Sequence, residues 1–144
     1  MSSRPTRFLL VEDDDAHAEL VRMAIAENQI SNPVDRVSDG EAALAYVRRE
    51  GSYANRLPPD IILLDLKLPK IDGHEVLNQL KADEKLRAIP VVVLTTSAAE
   101  TDKAKAYYRH ANSYLVKPVD FGKFHQMIKD LKLYWCVWNE PPSP

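Results

Sequence analysis

Long apolar runs are missing from this 144-residue chain. The longest is a few residues, far short of the ~20 that a membrane-spanning helix needs, so no membrane contact of that kind is expected. Cysteine is nearly absent as well. Cys136 stands alone, which excludes an intramolecular disulfide and any zinc site built on several cysteines. Nor is there an excess of charge of one sign. The formal net charge is −2, so no global field draws the chain to nucleic acid or an anionic membrane. The start, MSSRPTRFLLVEDDD, has neither a long apolar region nor a small-residue cleavage site, and does not read as a secretory signal. His17, His74, His110 and His125 show no metal-ligand spacing and read as surface residues. Repeats and low-complexity segments are absent. These exclusions lead to the expectation of a cytoplasmic protein with one domain over residues 1–144, its core at about 6–135 and a tail at 136–144.

What is present is a short apolar run followed by a helical pattern, five times over. FLLV (8–11) reads as a strand, with Asp15 as N-cap of a helix whose stripe is Leu20, Val21, Ala24 and Ile25. PVDRV (33–37) reads as a weaker strand near a sheet edge, Asp39-Gly40 as a turn, and Ala42 to Arg49 as a helix. GSYANRLPP (51–59) reads as a loop. IILL (61–64) and VVVL (91–94) are apolar at every position and so read as strands buried on both faces. Gly73 opens a helix to roughly Ala82, Glu100 to His110 is helical, SYLV (113–116) is a fifth strand, and the last helix begins at Phe121.

Strands alternating with helices predict a parallel sheet covered on both faces. Right-handed crossovers then bring every strand's C-terminal end to one edge, where such sheets bind ligands. The residues that follow the strands are therefore the candidate site. After FLLV come Glu12, Asp13 and Asp14; after IILL comes Asp65; after VVVL come Thr95 and Thr96; after SYLV comes Lys117, then Pro118. Converging carboxylates repel one another. A divalent cation removes the difficulty, and Mg²⁺ with its preference for hard oxygen ligands suits this set. A lysine and a hydroxyl opposite the metal suit a phosphoryl group, whose charged oxygens they would meet.

Each residue also has a plainer reading. Asp65 alone could be a helix cap, the less favoured reading, and Asp13 a turn acid. Asp14 and Asp15 fit best as acids serving a helix N-terminus. Asp72-Gly73 reads as a turn into a helix, and Pro69 as a loop stiffener. The functional reading prevails because four strand ends agree.

Those four segments, VEDD, ILLDLKLPKIDG, VVVLTTS and SYLVKP, resemble the receiver domains of two-component response regulators, in order and over nearly the whole chain. The resemblance implies a three-layer flavodoxin-like (βα)5 fold with a five-stranded parallel sheet in the order 2-1-3-4-5. It implies that Asp65 accepts a phosphoryl group from a sensor histidine kinase. It implies Mg²⁺ held by Asp13, Asp65 and the backbone carbonyl of Lys67, with Glu12 assisting. It implies phosphoryl contacts from Thr95 and Lys117, and Tyr114 as an aromatic switch residue coupled to Thr95. A cis Lys117-Pro118 bond would rest on the family alone. The stretch DGEAALAYVRREGSYANRLPPDIILLDLKLP and the terminal LKLYW look like the stand-alone regulators paired with phytochrome kinases. Lys67 and Ser97 depart from the family pattern at positions that flank the phosphoryl group, and Lys67 is expected to alter its lifetime.

Phe121, Phe124, Ile128, Leu131 and Trp135 form one helical stripe that outruns a five-residue strand. Its far end, with Tyr134, Trp135, Val137 and Trp138, is the expected interface of a homodimer. The main rival function is a magnesium-dependent phosphohydrolase with an aspartyl nucleophile. Such enzymes resemble this site but typically carry a second aspartate two residues on, where this chain has Lys67. A receiver-like module that is never phosphorylated is the third reading. The expectation is a phosphoacceptor switch, not an enzyme acting on other substrates.

Overall fold

A computed structural model describes residues 7–26, 33–95, 113–116, 122, 123 and 126, with backbone alone at Ala26, Thr95 and 113–116. The chain runs β1 (Phe8–Val11), α1 (Asp15–Ala26), β2 (Val34–Val37), α2 (Gly40–Val47), β3 (Ile61–Asp65), α3 (Gly73–Ala82), β4 (Val91–Thr95) and β5 (Ser113–Val116). The five strands form one sheet in the order β2-β1-β3-β4-β5. Every neighbouring pair is parallel. Layering and strand order are those the family resemblance implies. Residues 122, 123 and 126 are helical. The expected helix from Glu100 to His110 lies outside the described residues.

Burial follows the two-residue pleat of the strands. Phe8, Leu10, Ile61, Leu63, Val92 and Leu94 face one side and pack with Ala18, Val21, Ala24 and Ile25 of α1. Leu9, Val11, Ile62, Leu64, Val91 and Val93 face the other and pack with residues of α2 and α3, among them Leu44, Val76, Leu77 and Leu80. The unbroken apolar runs in β3 and β4 thus serve two cores at once.

Several local expectations are corrected. Asp14, not Asp15, caps α1. Its Oδ1 accepts the His17 N–H at 2.9 Å, and its carbonyl accepts the Ala18 N–H at 3.0 Å. Asp15 is the first helical residue and pairs instead with Arg36, 2.6 Å away. Leu20 is 43% exposed; Ala18 occupies the inward line, because Ala18, Val21 and Ile25 repeat at three and four residues. Helix α2 starts at Gly40 rather than Ala42, since the Asp39 carboxylate caps it by accepting the Ala42 N–H at 2.7 Å. It ends earlier than expected too. Arg49 N–H bonds to the Tyr46 carbonyl and Glu50 N–H to the Ala45 carbonyl, a Schellman closure with Arg49 at φ 57°. The 51–59 stretch holds a 3-10 turn, Gly51–Tyr53. In it Tyr53 packs on Tyr46, the ring centroids 5.2 Å apart.

Candidate functional site

The register between β1 and β3 runs from Phe8↔Ile61 to Val11↔Leu64. One further step sets Glu12 beside Asp65, on the same side of the pleat, at the spacing of neighbouring strands. Glu12 is fully buried, Asp65 is 6% exposed, and Asp13, where the chain leaves the sheet, is exposed. One carboxylate oxygen from each of Glu12, Asp13 and Asp65 lies within 4.8 Å of the others.

Buried carboxylates need partners. The Asp14 N–H donates to Glu12 Oε2 at 3.2 Å, and the Lys67 N–H donates to Asp65 Oδ1 at 3.2 Å. His17 Nδ1 lies 4.0 Å from Glu12 Oε1, nearer the site than its reading as an ordinary surface histidine suggested. Two unit charges 4.8 Å apart, the outer limit of this group, would repel by ~3.5 kcal/mol at an effective dielectric of ~20. A cation held by the three would offset that repulsion. The donors are all hard oxygens, which fits Mg²⁺, Mn²⁺ or Ca²⁺ better than zinc.

The loop after Asp65 is held by close backbone approach, a feature the sequence reading took only as a turn. The Gly73 N–H donates to the Leu66 carbonyl at 3.0 Å. A Cβ on Gly73 would sit 2.3 Å from the Asp65 carbonyl oxygen and 2.5 Å from Leu66 Cα. Asp72 caps α3 by accepting the Glu75 N–H at 2.9 Å. On the other side, the Gly40 N–H reaches the Pro69 carbonyl at 3.4 Å, and a Cβ there would lie 1.9 Å from the Ile71 carbonyl oxygen. Lys70, at φ 68°, brings its Nζ 3.8 Å from Asp39 Oδ2. The loop after Asp65 is therefore clamped between the starts of α2 and α3. Glycines at helix starts are the sequence signal for this, but which backbone they touch is set by tertiary packing.

The remaining strand ends align with the acids. Asp65 pairs with Leu94, so Thr95 stands one step beyond, and Thr95 pairs with Val116. Tyr114 pairs with Val93. The side chains of Thr95 and Tyr114, all of Lys117, and the tail residues Tyr134, Trp135, Val137 and Trp138 lie outside the described residues. Lys67 is exposed.

A family profile described as the response regulator receiver domain matches residues 8–129. The chain belongs to that family. This receiver is 48% identical over 141 residues to the probable methanogenesis regulatory protein FilR2 of Methanothrix harundinacea, covering 97% of this chain and 90% of that protein. It is 40% identical over 134 residues to the response regulator Rcp1 of Synechocystis, covering 93% and 91%. Among solved structures, the bacteriophytochrome response regulator RtBRR superimposes with a TM-score of 0.87 at 48% identity, covering 96% of this chain and 85% of the other. The Mn²⁺-bound form of Rcp1 superimposes with a TM-score of 0.75 at 39% identity, covering 96% and 100%. The receiver is thus similar to stand-alone, phytochrome-associated regulators.

Proposed function

We propose that this receiver is a phosphorylation switch in which Asp65 accepts a phosphoryl group from the phosphohistidine of a sensor histidine kinase, with Mg²⁺ required. A carboxylate oxygen of Asp65 bonds to phosphorus as the donor's P–N bond breaks. The bonding pair returns to the imidazole nitrogen, which takes up a proton. The observation that carries the reading is the meeting of Glu12, Asp13 and Asp65 within 4.8 Å at the ends of β1 and β3. Asp13, Asp65 and the Lys67 carbonyl would hold the cation, with Glu12 assisting. The metal supplies charge neutralisation at the phosphoryl oxygens. Thr95 and Lys117 complete the phosphoryl site, and movement of Thr95 and Tyr114 carries the signal to the face around β4 and β5. Differential contacts in the two states supply the driving free energy.

The partner is a phytochrome-type kinase in this reading, supported by the likeness to RtBRR. Output is by protein–protein contact in the cytoplasm, from a homodimer built on the last helix and tail. Incubation with acetyl phosphate and Mg²⁺, read by intact mass, tests the switch. A stable acyl phosphate that disappears in Asp65→Asn is expected. Rapid multiple turnover would favour the hydrolase, and no modification the unphosphorylated module. Lys67→Asn should change the dephosphorylation rate; an unchanged rate would remove Lys67 from the lifetime argument. Light scattering of Tyr134→Ser and Trp138→Ser should move toward monomer, and a monomeric wild type would end the dimer proposal.

A further inference from the structure

Among the three acids, Asp13 is the one whose side chain no hydrogen bond holds among the described residues. Glu12 accepts from the Asp14 N–H and Asp65 from the Lys67 N–H. The exposed Asp13 carboxylate has no hydrogen bond among the described residues. Its aim therefore depends on the backbone that delivers it. That backbone is gripped from β2. The Glu12 N–H donates to the Val37 carbonyl at 3.1 Å, and Arg36 Nε donates to the Glu12 carbonyl at 2.9 Å. The Glu12 carbonyl belongs to the planar Glu12–Asp13 peptide, so fixing its direction fixes the Asp13 N–H and Cα as well.

Arg36 makes poor sense as a residue kept for stability. Its ion pair is with Asp15, a side chain 93% exposed, and such surface pairs contribute ~1 kcal/mol or less. Its Nη2 is buried with no hydrogen-bond partner among the described residues, and leaving a buried donor unpaired costs roughly 1–3 kcal/mol or more. Its charge also works against a cation nearby. We propose that Arg36 is a positioning residue for the divalent-cation site. Holding the Glu12 carbonyl, it sets the plane of the Glu12–Asp13 peptide and hence the direction from which the Asp13 carboxylate meets the metal. This rests on the cation-binding reading above.

Position and charge predict opposite signs, so binding of Mn²⁺ by the full chain separates them. Free Mn²⁺ is followed by its electron paramagnetic resonance signal, with Mg²⁺ as competitor. Arg36→Met removes bond and charge; Arg36→Lys keeps the charge but lacks the forked guanidinium that reaches Glu12 and Asp15 together. Both should weaken binding about 10-fold or more, the usual scale for groups that orient metal ligands. Arg36→Met placed in an Asp13→Asn background should have no further effect, because its action passes through Asp13. Unchanged or tighter binding in the single variants overturns the proposal. So does an equal loss in the Asp13→Asn background. A loss of thermal stability with unchanged affinity assigns Arg36 a structural role and also overturns it. If Arg36→Met does not fold, Arg36→Lys decides. A wild type that binds no Mn²⁺ sinks the cation reading itself, a result distinct from the others.

Discussion

Gly73→Ala should damage the proposed phosphoacceptor site through one methyl group. The added carbon would sit 2.3 Å from the Asp65 carbonyl oxygen, 2.5 Å from Leu66 Cα and 3.0 Å from Leu66 C. Ordinary contact begins near 3.4 Å, so backbone must move by about 1 Å, and backbone yields less readily than the tip of a side chain. At an open helical position, Gly→Ala stabilises by roughly 0.5–1 kcal/mol. Forcing a methyl into packed backbone costs typically ~1–3 kcal/mol. The expected net is a loss of about 1–2 kcal/mol, opposite in sign to the helix-propensity effect. The chemical effect should be larger than the stability effect. Asp65, the proposed phosphoacceptor, is the residue whose carbonyl is struck, and a misplacement of ~1 Å at a reacting group can reduce a rate by ~10²-fold. Urea unfolding gives the first quantity. Labelling by acetyl phosphate with Mg²⁺ gives the second, expected to fall roughly 10- to 100-fold. Gly51→Ala is the control. Gly51 has φ +56° and open space around a Cβ, so alanine there costs ~1–2 kcal/mol through the backbone and leaves labelling at the wild-type rate. A Gly73→Ala protein as stable as wild type and labelled as fast would refute the close-approach argument.

Three further outcomes follow from the packing. Arg49→Gly should raise stability by up to ~1 kcal/mol in urea titration, because Arg49 holds the left-handed position that closes α2 and glycine adopts it without strain. The Tyr46 hydroxyl is pushed up to about 12 by burial and by its hydrogen bond to the Asp35 carboxylate. The folded state then holds its proton where the unfolded chain has lost it. This stability is complete below pH ~10 and falls between pH ~10 and about 12, by up to ~1.4 kcal/mol per pH unit; Tyr46→Phe should flatten that alkaline slope in denaturation measured against pH. Leu63→Ala should destabilise by about 2–5 kcal/mol, whereas Leu20→Ala should stay within ~0.5 kcal/mol, since Leu63 is 1% exposed and Leu20 43%; equal losses would contradict the observed face of α1.

The sequence by itself determined the alternation of strands and helices, because short, β-branched apolar runs such as IILL and VVVL, set between helical patterns, fit a doubly covered sheet. It also determined which residues stand at strand ends, since right-handed crossovers bring those ends to one edge. Capping was legible only to within a residue or two: Asp14 and Asp15 compete for one helix start, and the partner Arg36 that claims Asp15 lies on another strand. The face of α1 was half legible, as Leu20 and Ala18 both extend an apolar stripe and packing selects the smaller. Three things belonged to the tertiary structure alone. The β1–β3 register decides that Glu12 stands beside Asp65. The approach of Gly73 and Gly40 to the loop after Asp65 depends on backbone from other segments. The hold of Arg36 on the Glu12 carbonyl joins residues 24 apart in sequence. Local pattern fixes which residues reach the edge; how a carboxylate is aimed there is decided by contacts between strands, which no local pattern records.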